Sequence, residues 1–278
     1  MERAKNYFDG MWSVGTAQPG ICINPANGEH AAQFSEASLD DALTAIGAAR
    51  HAFDHGAWSR SPRLRESVLL EFAANLQARA PEIERWLVTL NGKLTREARG
   101  EIATAVSELR FYAGLARNLW GRVAEIDNGC YSQLSREPAG VAGIIVPWNA
   151  PVILLIRSLA PALAAGCTMV LKPAEDTSLT ALRLAELMLE AGVPVGVLNV
   201  VTGLGESAGA ALAMHRGVDK VAFTGSTEVG KLVLDAARGN LKKVTLELGG
   251  KSPVILMADA DLTLAIPGAA NAIFFNSG

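Results

Sequence analysis

The amino-acid sequence predicts an α/β fold in which a parallel sheet is flanked by helices, and two observations support it. From Gly140 onward, short apolar runs alternate with segments of helical periodicity. The apolar runs are nearly continuous, as expected for strands that are covered on both faces. Strands that alternate with helices of this length connect by right-handed crossovers into a parallel sheet. The predicted strands cover residues 141–146, 168–171, 197–201, 220–223, 244–246 and 254–257.

The segment before this alternation predicts short strands and then four helices. Turn signals at Asn24-Pro25 and Asn27-Gly28 indicate strands and turns in the first 35 residues. Ser38 followed by Asp41 resembles a capping box and predicts a helix to about residue 53. Ser61 before Pro62 predicts a second helix start, with the helix ending near residue 79. Two further helices are predicted from residue 81 and over about 95–120.

Residues 122–136 predict a β-hairpin. Their side chains alternate around Asn128-Gly129, which is a strong signal for a two-residue turn. A two-stranded ribbon is only marginally stable by itself. We therefore expect this hairpin to lie against another surface.

Length, composition and charge exclude several classes of protein. The chain has 278 residues, 50% of them hydrophobic, with a formal net charge of −3. This length suits two domains or one large α/β unit, and the charge shows no electrostatic footprint for nucleic acid. The most apolar stretch, 139–156, is interrupted by prolines, so no membrane span is expected. Neither a secretory signal nor metal-like cysteine spacing is present, which favours a cytoplasmic protein without a metal site.

The residues after each predicted strand are the candidates for function, because ligands bind at the carboxyl ends of parallel strands. Pro147-Trp148-Asn149 follows the first strand. The Asn149 amide could donate to a developing oxyanion, or it could only cap the next helix. Lys172 and Glu175 follow the second strand, where they could bind ribose hydroxyls or form a surface ion pair.

The later strand ends carry glycines and a carboxylate. Residues 203–208 fit the pattern G-x-G-x-x-A and predict a close approach of backbone to a ligand. Ser226 begins a helix whose N-terminus suits a pyrophosphate. Leu232 stands where a P-loop needs Ser or Thr, which excludes a Mg²⁺-dependent triphosphatase. Glu247 could act as a general base if burial raises its pKa, or it could pair with Lys251.

Taken together, these segments resemble the NAD(P)-dependent aldehyde dehydrogenase superfamily over essentially the whole chain. The resemblance is carried by the order and spacing of 147–149, 172–175, 223–226 and 247–251, with the hairpin at 128–129. It implies a Rossmann-like sheet, an inserted hairpin for oligomerisation and the start of a second α/β catalytic domain. The implied NAD-binding domain covers 1–120 and 141–248, the hairpin 121–140 and the catalytic domain 249–278.

The resemblance also implies roles for individual residues. Asn149 would form the side-chain half of an oxyanion hole, and Glu247 would activate water for deacylation. Lys172 and Glu175 would bind the adenosine ribose, and Glu175 would repel a 2′-phosphate, so NAD is favoured although NADP remains possible. The implied cofactor-binding set is Ile145, Val146, Pro147, Trp148, Lys172, Ala174, Glu175, Gly205, Gly209, Phe223, Thr224, Gly225, Ser226, Val229, Leu248 and Gly249.

One departure from the family pattern limits what this chain is expected to do alone. Members continue Phe-x-Asn-x-Gly-Gln-x-Cys, whereas here residues 275–278 end the sequence three positions before that thiol. None of Cys22, Cys130 or Cys167 matches it, so a fragment or a truncated product is expected. The leading interpretation is the cofactor-binding part of an enzyme that oxidises an aldehyde to a carboxylic acid through a thioester, as a homodimer or homotetramer. The alternatives are a noncatalytic NAD-binding or interaction module and an acylating dehydrogenase that uses coenzyme A.

Overall fold

The fold is a seven-stranded sheet covered by helices on both faces, with a small three-stranded sheet and a separate hairpin beside it. It is described from a computed structural model. Residues 2–15 and 19–277 are described, so the parts of the predicted first strands and of the last run that fall on 1, 16–18 and 278 lie outside the described residues.

The strands and helices are numbered in chain order. The strands are β1 Glu2–Ala4, β2 Asn6–Phe8, β3 Met11–Ser13, β4 Gly20–Ile23, β5 His30–Phe34, β6 Arg122–Asp127, β7 Cys130–Leu134, β8 Val141–Ile145, β9 Thr168–Lys172, β10 Leu198–Val200, β11 Lys220–Gly225 and β12 Lys243–Leu248. The helices are α1 Leu39–His55, α2 Pro62–Ala78, α3 Ala80–Asn91, α4 Thr95–Leu115, α5 Pro151–Ala165, α6 Ser178–Glu190, α7 Ala210–Met214, α8 Thr227–Ala237 and α9 Leu262–Phe274. None of the helices in the described ranges is long and apolar enough to cross a membrane.

The large sheet has the order β12-β11-β8-β9-β10-β2-β3. Five neighbouring strands, β8 to β12, are parallel, and β2 and β3 add an antiparallel edge on the side of β10. The chain runs outward from β8 through β9 to β10, then crosses back to β11 on the other side of β8. The strand order therefore reverses between β8 and β11, which is the place where such sheets bind ligands.

Alternation along β8 explains why helices cover both faces of the sheet. Ala142, Ile144 and Val146 belong to one buried cluster, together with α2 to α6. Val141 and Ile145 belong to a second cluster with α1, α7 and α8. Because successive side chains of a strand point to opposite faces, a continuous apolar run packs against both helical layers.

The start of β8 is fixed by a glycine and a carboxylate. Gly140 has a φ of +116°, and a Cβ atom there would lie 1.9 Å from Asp219 Oδ2. That oxygen accepts the Val141 N–H at 2.7 Å, and it also pairs with Arg50. Asp219 therefore anchors the amino end of the sheet, which is the end opposite to the candidate ligand-binding residues.

The predicted helix starts agree with the structure, with one local difference. The Ser38 side chain accepts the Asp41 N–H, and the Asp41 carboxylate accepts the Ser38 N–H, which completes the capping box of α1. Ser61 does occupy the N-cap of α2, but its side chain makes no capping hydrogen bond. The segment predicted as a helix near residue 206 begins as a π-helical turn, Gly205–Gly209, before α7.

The hairpin is present as predicted, and both of its strands are exposed along their whole length. β6 and β7 pair antiparallel around Asn128 and Gly129, where Gly129 has a φ of +72°. Among the described residues these two strands pair only with each other. Their exposed apolar side chains are Val123, Ile126, Tyr131 and Leu134.

The predicted strand at 254–257 is wrong. These residues belong to no strand or helix, and their side chains are exposed. A strand needs a neighbouring strand to bond its backbone, and the described chain places none beside them. α9 follows, and none of its described side chains is buried. The division into domains stays a prediction.

Candidate active site

A cleft of about 420 Å³ lies at the carboxyl edge of the sheet, where the strand order reverses. Its walls are the ends of β8, β9 and β11, the turn after β10 and one side of α8. Fourteen of the sixteen residues predicted to bind a cofactor line it: Ile145, Val146, Pro147, Trp148, Lys172, Ala174, Glu175, Gly205, Gly209, Phe223, Thr224, Gly225, Ser226 and Val229.

Lys172 and Glu175 form a polar pair on one wall of the cleft. Lys172 Nζ donates to Glu175 Oε2 at 3.2 Å. The lysine side chain is 5% exposed and the glutamate side chain 37% exposed, so the carboxylate is the member open to a ligand. The Cys22 thiol donates to the Glu175 carbonyl at 3.4 Å, which ties this turn to β4. A fixed carboxylate beside an ammonium group suits the two hydroxyls of a ribose.

The N-terminus of α8 forms the facing wall. Ser226 is its N-cap, and the Ser226 Oγ accepts the Val229 N–H at 3.2 Å. The other free N–H groups of the first turn carry the positive end of the helix dipole, which favours an anion. Gly225 leads into this turn, and a Cβ atom there would lie 2.6 Å from the Phe223 ring. Glycine therefore lets the strand end pack on Phe223.

The glycine pattern after β10 also faces the cleft. A Cβ atom built on Gly205 meets no atom within 4 Å, and one built on Gly209 only touches the tip of Ile145 at 3.9 Å. The sequence predicted a close approach of backbone to a ligand here, and the geometry leaves that space open.

Sequence reasoning missed one side of the cleft. These residues share a position on the inner faces of the turn after β10, α7 and α8, and they are Glu206, Ala210, Ala213, Leu232, Val233 and Ala236. Apolar side chains spaced by three and four residues along α8, beginning at Val229, were the available signal. Apart from Val229 they were not recognised as part of the site, although this part of the stripe faces the cleft.

The turn that carries Asn149 is held by four contacts from other elements. Asn91 Nδ2 donates to the Trp148 carbonyl at 2.6 Å, and Asn276 Nδ2 donates to the Asn149 carbonyl at 3.5 Å. The next residues begin α5, where Val152 N and Ile153 N donate to Glu101 Oε1 at 2.8 and 3.1 Å. The Asn149 side chain is exposed, and no side-chain bond caps α5. The Asn149 amide is therefore available to a ligand.

A buried ion pair supports the turn that carries Asn149. The side chains of Lys93 and Glu101 are almost fully buried and paired with each other. Glu101 therefore serves two functions, since one oxygen binds Lys93 and the other receives the first turn of α5. One turn earlier on α4, Glu97 Oε1 accepts the Asn276 N–H at 3.2 Å. Asn276 has a φ of +59°, a conformation that Asn tolerates better than most residues.

The structure corrects the expected environment of Glu247. It lies on β12, the edge strand of the sheet, and it is exposed rather than buried. The described part of the chain shows no ion pair between Glu247 and Lys251 either. Among the described residues, no strand pairs with the outer side of β12. Leu248 and Gly249 lie on the same edge, outside the cleft lining, with Leu248 packed against Gly230 of α8.

The fold is a doubly wound α/β domain with a cleft at the carboxyl edge of its sheet, and comparison with known proteins identifies its family. Residues 12–278 match the aldehyde dehydrogenase family. The chain belongs to the aldehyde dehydrogenase family, as the sequence motifs predicted.

Individual relatives agree with this assignment. Phenylacetaldehyde dehydrogenase of Pseudomonas fluorescens is 46% identical over 278 residues, which is 97% of this chain and 55% of that protein. The structure of PnpE from Pseudomonas sp. WBC-3 in complex with nicotinamide adenine dinucleotide has a TM-score of 0.95 and 38% identity, covering 99% of this chain and 57% of that one. An Escherichia coli NADP-dependent enzyme has a TM-score of 0.96 and 36% identity, covering 100% and 58%. The chain thus spans about half the length of the relatives it matches.

Proposed function

We propose that this chain forms the NAD-binding part of an aldehyde dehydrogenase that oxidises an aldehyde to a carboxylic acid. The observation that carries the proposal is the pairing of Lys172 and Glu175 on one wall with the N-terminus of α8 on the other. A cleft of about 420 Å³ separates them. Membership of the family and the NAD complex of PnpE support the same cofactor.

The residues of the cleft fit such a cofactor in three places. The Glu175 carboxylate accepts hydrogen bonds from ribose hydroxyls, and Lys172 donates to the same sugar. The first turn of α8 offers N–H groups to the pyrophosphate. The apolar stripe of Val229, Leu232 and Val233 packs against the adenine ring. When bound, NAD accepts the hydride that is removed from the aldehyde carbon.

The protein groups have separate tasks in the proposed reaction. The exposed Asn149 amide donates to the aldehyde oxygen as negative charge develops there, which stabilises the transition state. Glu247 accepts a proton from the water that releases the acid from a thioester. In the family motif, the nucleophile is a cysteine three positions after the glycine that corresponds to Gly278. Glu101 is a positioning residue, because it holds the first turn of α5 directly behind Asn149.

The Glu247 side chain is exposed, and this exposure affects its proposed role as a base. A carboxylate in water is a weak base at neutral pH, and burial is one way to strengthen it. The proposed role therefore requires other protein surface to cover the outer side of β12. The hydrolytic reaction is favoured over transfer to coenzyme A, because the carboxylate that the family motif supplies, Glu247, suits activation of water.

Isothermal titration calorimetry on this chain tests the proposal. NAD is expected to bind with one molecule per chain, and Lys172→Met is expected to weaken it by roughly tenfold, the loss of one charged hydrogen bond. Lys5→Met, an exposed lysine outside the cleft, is the control and leaves binding unchanged. No heat of binding at millimolar NAD would contradict the proposal.

The preference between the two dinucleotides is tested with Glu175→Arg. The wild-type carboxylate repels a 2′-phosphate, and the arginine attracts it, so affinity for NADP relative to NAD is expected to rise at least tenfold. Glu29→Arg, which makes the same charge change on an exposed turn, controls for net charge. An unaltered ratio of the two affinities in Glu175→Arg would show that Glu175 does not face the ribose.

A further inference from the structure

A second cavity, larger than the NAD cleft, lies at the opposite edge of the sheet. Its volume is about 640 Å³. Ala165 ends α5 just before β9, and Pro138 precedes β8, so this cavity opens at the amino ends of the strands. The start of α2 and the end of α4 complete it. Its lining is Ser59, Arg60, Ser61, Pro62, Arg63, Arg65, Ala116, Arg117, Leu119, Arg136, Pro138 and Ala165.

The lining of this arginine cavity carries a strong excess of positive charge. It contains five arginines, and no Asp or Glu is among the described residues that form it. The whole chain has a net charge of −3. Five like charges around one concavity repel one another and raise the local concentration of anions.

Arg65 is the most informative of the five, because it is buried and fixed. It is 4% exposed, although arginine is almost never buried without a partner. Its Nε donates to the Ala164 carbonyl at 3.0 Å, and its Nη1 donates to the carbonyls of Trp58 and Ser59, both at 2.9 Å. Burial lowers the pKa of this guanidinium, since within the described chain it meets carbonyl dipoles but no carboxylate. Its charge is therefore left without an opposite charge.

The other four arginines are exposed and mostly free of carboxylates. Arg60 and Arg136 donate to the carbonyls of Gly56 and Trp120. Arg117 alone pairs with a carboxylate, Glu66, at 2.9 Å. No ion pair involves Arg63 over residues 2–15 and 19–277. Their guanidinium groups can therefore turn toward a ligand in the cavity.

The start of α2 adds donors of a second kind. Ser61 is the N-cap of this 17-residue helix, but its hydroxyl makes no capping bond, so the first N–H groups are not satisfied by it. A helix N-terminus with uncapped N–H groups suits an anion. Arg63 and Arg65 follow this helix start in the chain, and both line the cavity.

We propose that the arginine cavity binds a small, multiply charged phosphate compound of the diphosphate or triphosphate class. Guanidinium groups match phosphate oxygens bidentately, and Arg60, Arg63 and Arg136, which pair with no carboxylate among the described residues, favour a ligand with several negative charges. A volume of about 640 Å³ admits a small molecule, whereas a nucleic-acid duplex does not fit. The site lies at the other edge of the sheet from the proposed NAD cleft, so the two proposals stand or fall separately.

The test is calorimetric titration of this chain with inorganic pyrophosphate in about 0.15 M sodium chloride, where surface charges are largely screened. The variant is the double substitution Arg60→Gln and Arg63→Gln, since both side chains are exposed and Arg65 is needed for packing. Arg85→Gln removes an exposed arginine elsewhere and is the matched control. Ser226→Ala, at the start of α8, reports any binding in the NAD cleft.

Wild-type protein is expected to bind one pyrophosphate, and the double variant is expected to bind it roughly a hundredfold more weakly, about tenfold for each charged contact. Arg85→Gln and Ser226→Ala leave the affinity within about twofold. Equal affinity in the double variant, or a loss confined to Ser226→Ala, overturns the proposal. So does a protein that binds an acidic glutamate peptide but not pyrophosphate, since the cavity would then receive a peptide segment.

Discussion

Burial decides what each charged or reactive side chain in this molecule can do. Lys172 is buried with its ammonium group directed to Glu175, so its position is fixed, whereas Glu175 keeps an open side toward the cleft. Arg65 is also buried, and its guanidinium donates to three backbone carbonyls and meets no carboxylate among the described residues. Glu247 shows the opposite case, since its carboxylate is exposed.

The three cysteines give a prediction at the residue scale. Burial, reinforced by Asp176 and Glu175, raises the pKa of Cys22 to about 12, and burial likewise raises the pKa of Cys167. A raised thiol pKa keeps the unreactive neutral form below that pKa, so neither thiol gains reactivity between pH 7 and pH 9. Cys130 is exposed on the hairpin.

Native protein at pH 8 is therefore expected to react with one equivalent of a disulfide reagent such as dithionitrobenzoate, and with three equivalents after unfolding. Cys130→Ser is the control, and it should show no rapid reaction in the native state. Two rapidly reacting thiols in the native wild type would contradict the burial of Cys22 or Cys167.

At the scale of elements, the helix starts differ in whether a side chain caps their first N–H groups. A side-chain cap stabilises the helix, whereas N–H groups that remain free can bind a ligand. α1 begins with a complete capping box, whereas α2 begins with a serine that caps nothing. α8 begins with a capping serine and still presents its first turn to the cleft. The uncapped start of α2 is the one that lies among the arginines.

Ser38→Ala tests the capping of α1. Loss of the side-chain bond to the Asp41 N–H is expected to lower the free energy of unfolding by about 1 kcal/mol. Ser61→Ala makes the same change at the N-cap of α2, where no such bond exists, and should cost less than about 0.5 kcal/mol. Urea denaturation measures both, and equal losses would show that the two serines are equivalent.

The hairpin gives a second prediction at this scale, on how the chain assembles. β6 and β7 expose Val123, Ile126, Tyr131 and Leu134, and an isolated ribbon is marginally stable. We expect the hairpin to pair with another copy of the protein, because an exposed strand edge is a template for association.

Replacing these four side chains with Thr or Ser is expected to reduce the self-associated fraction in sedimentation velocity. Four substitutions of exposed apolar residues elsewhere, Leu39, Leu43, Leu70 and Phe111, are the matched control and should leave the distribution unchanged. An unaltered distribution in the hairpin variant would remove its role in assembly.

At the scale of the whole molecule, the sequence was most informative where local pattern and global fold agree. Apolar runs predicted the five parallel strands. Of these, β8, β9 and β10 are buried along their whole length, whereas β12 lies at the sheet edge and is largely exposed. The strand ends predicted the cleft. The strand predicted at 254–257 is absent and Glu247 is exposed, because burial there depends on which surface lies beside the segment; the role of Glu247 stays a prediction. The helical periodicity of α8 also could not show which of its apolar side chains face the core and which face the cleft, since both surfaces are apolar.

The arginine cavity was missed for a different reason. Arg60, Arg63 and Arg65 are neighbours in the sequence, at and just before the start of α2, but Arg117 follows α4 and Arg136 follows β7, and only the folded chain brings these two to the others. Charge counted along the sequence shows a mildly acidic protein. Three nearby arginines alone did not indicate a cavity.

Hydrogen–deuterium exchange of this chain with and without saturating NAD tests the central claim most directly, because it locates the cofactor on the fold. NAD is expected to slow exchange in the strand ends and helix starts around the cleft, at 145–150, 172–177, 203–210 and 224–232. The hairpin strands, 122–134, provide an internal control and should exchange at the same rate in both states. Protection absent from these four segments at saturation, or concentrated around the arginine cavity, would contradict the assignment of the cleft as the NAD site.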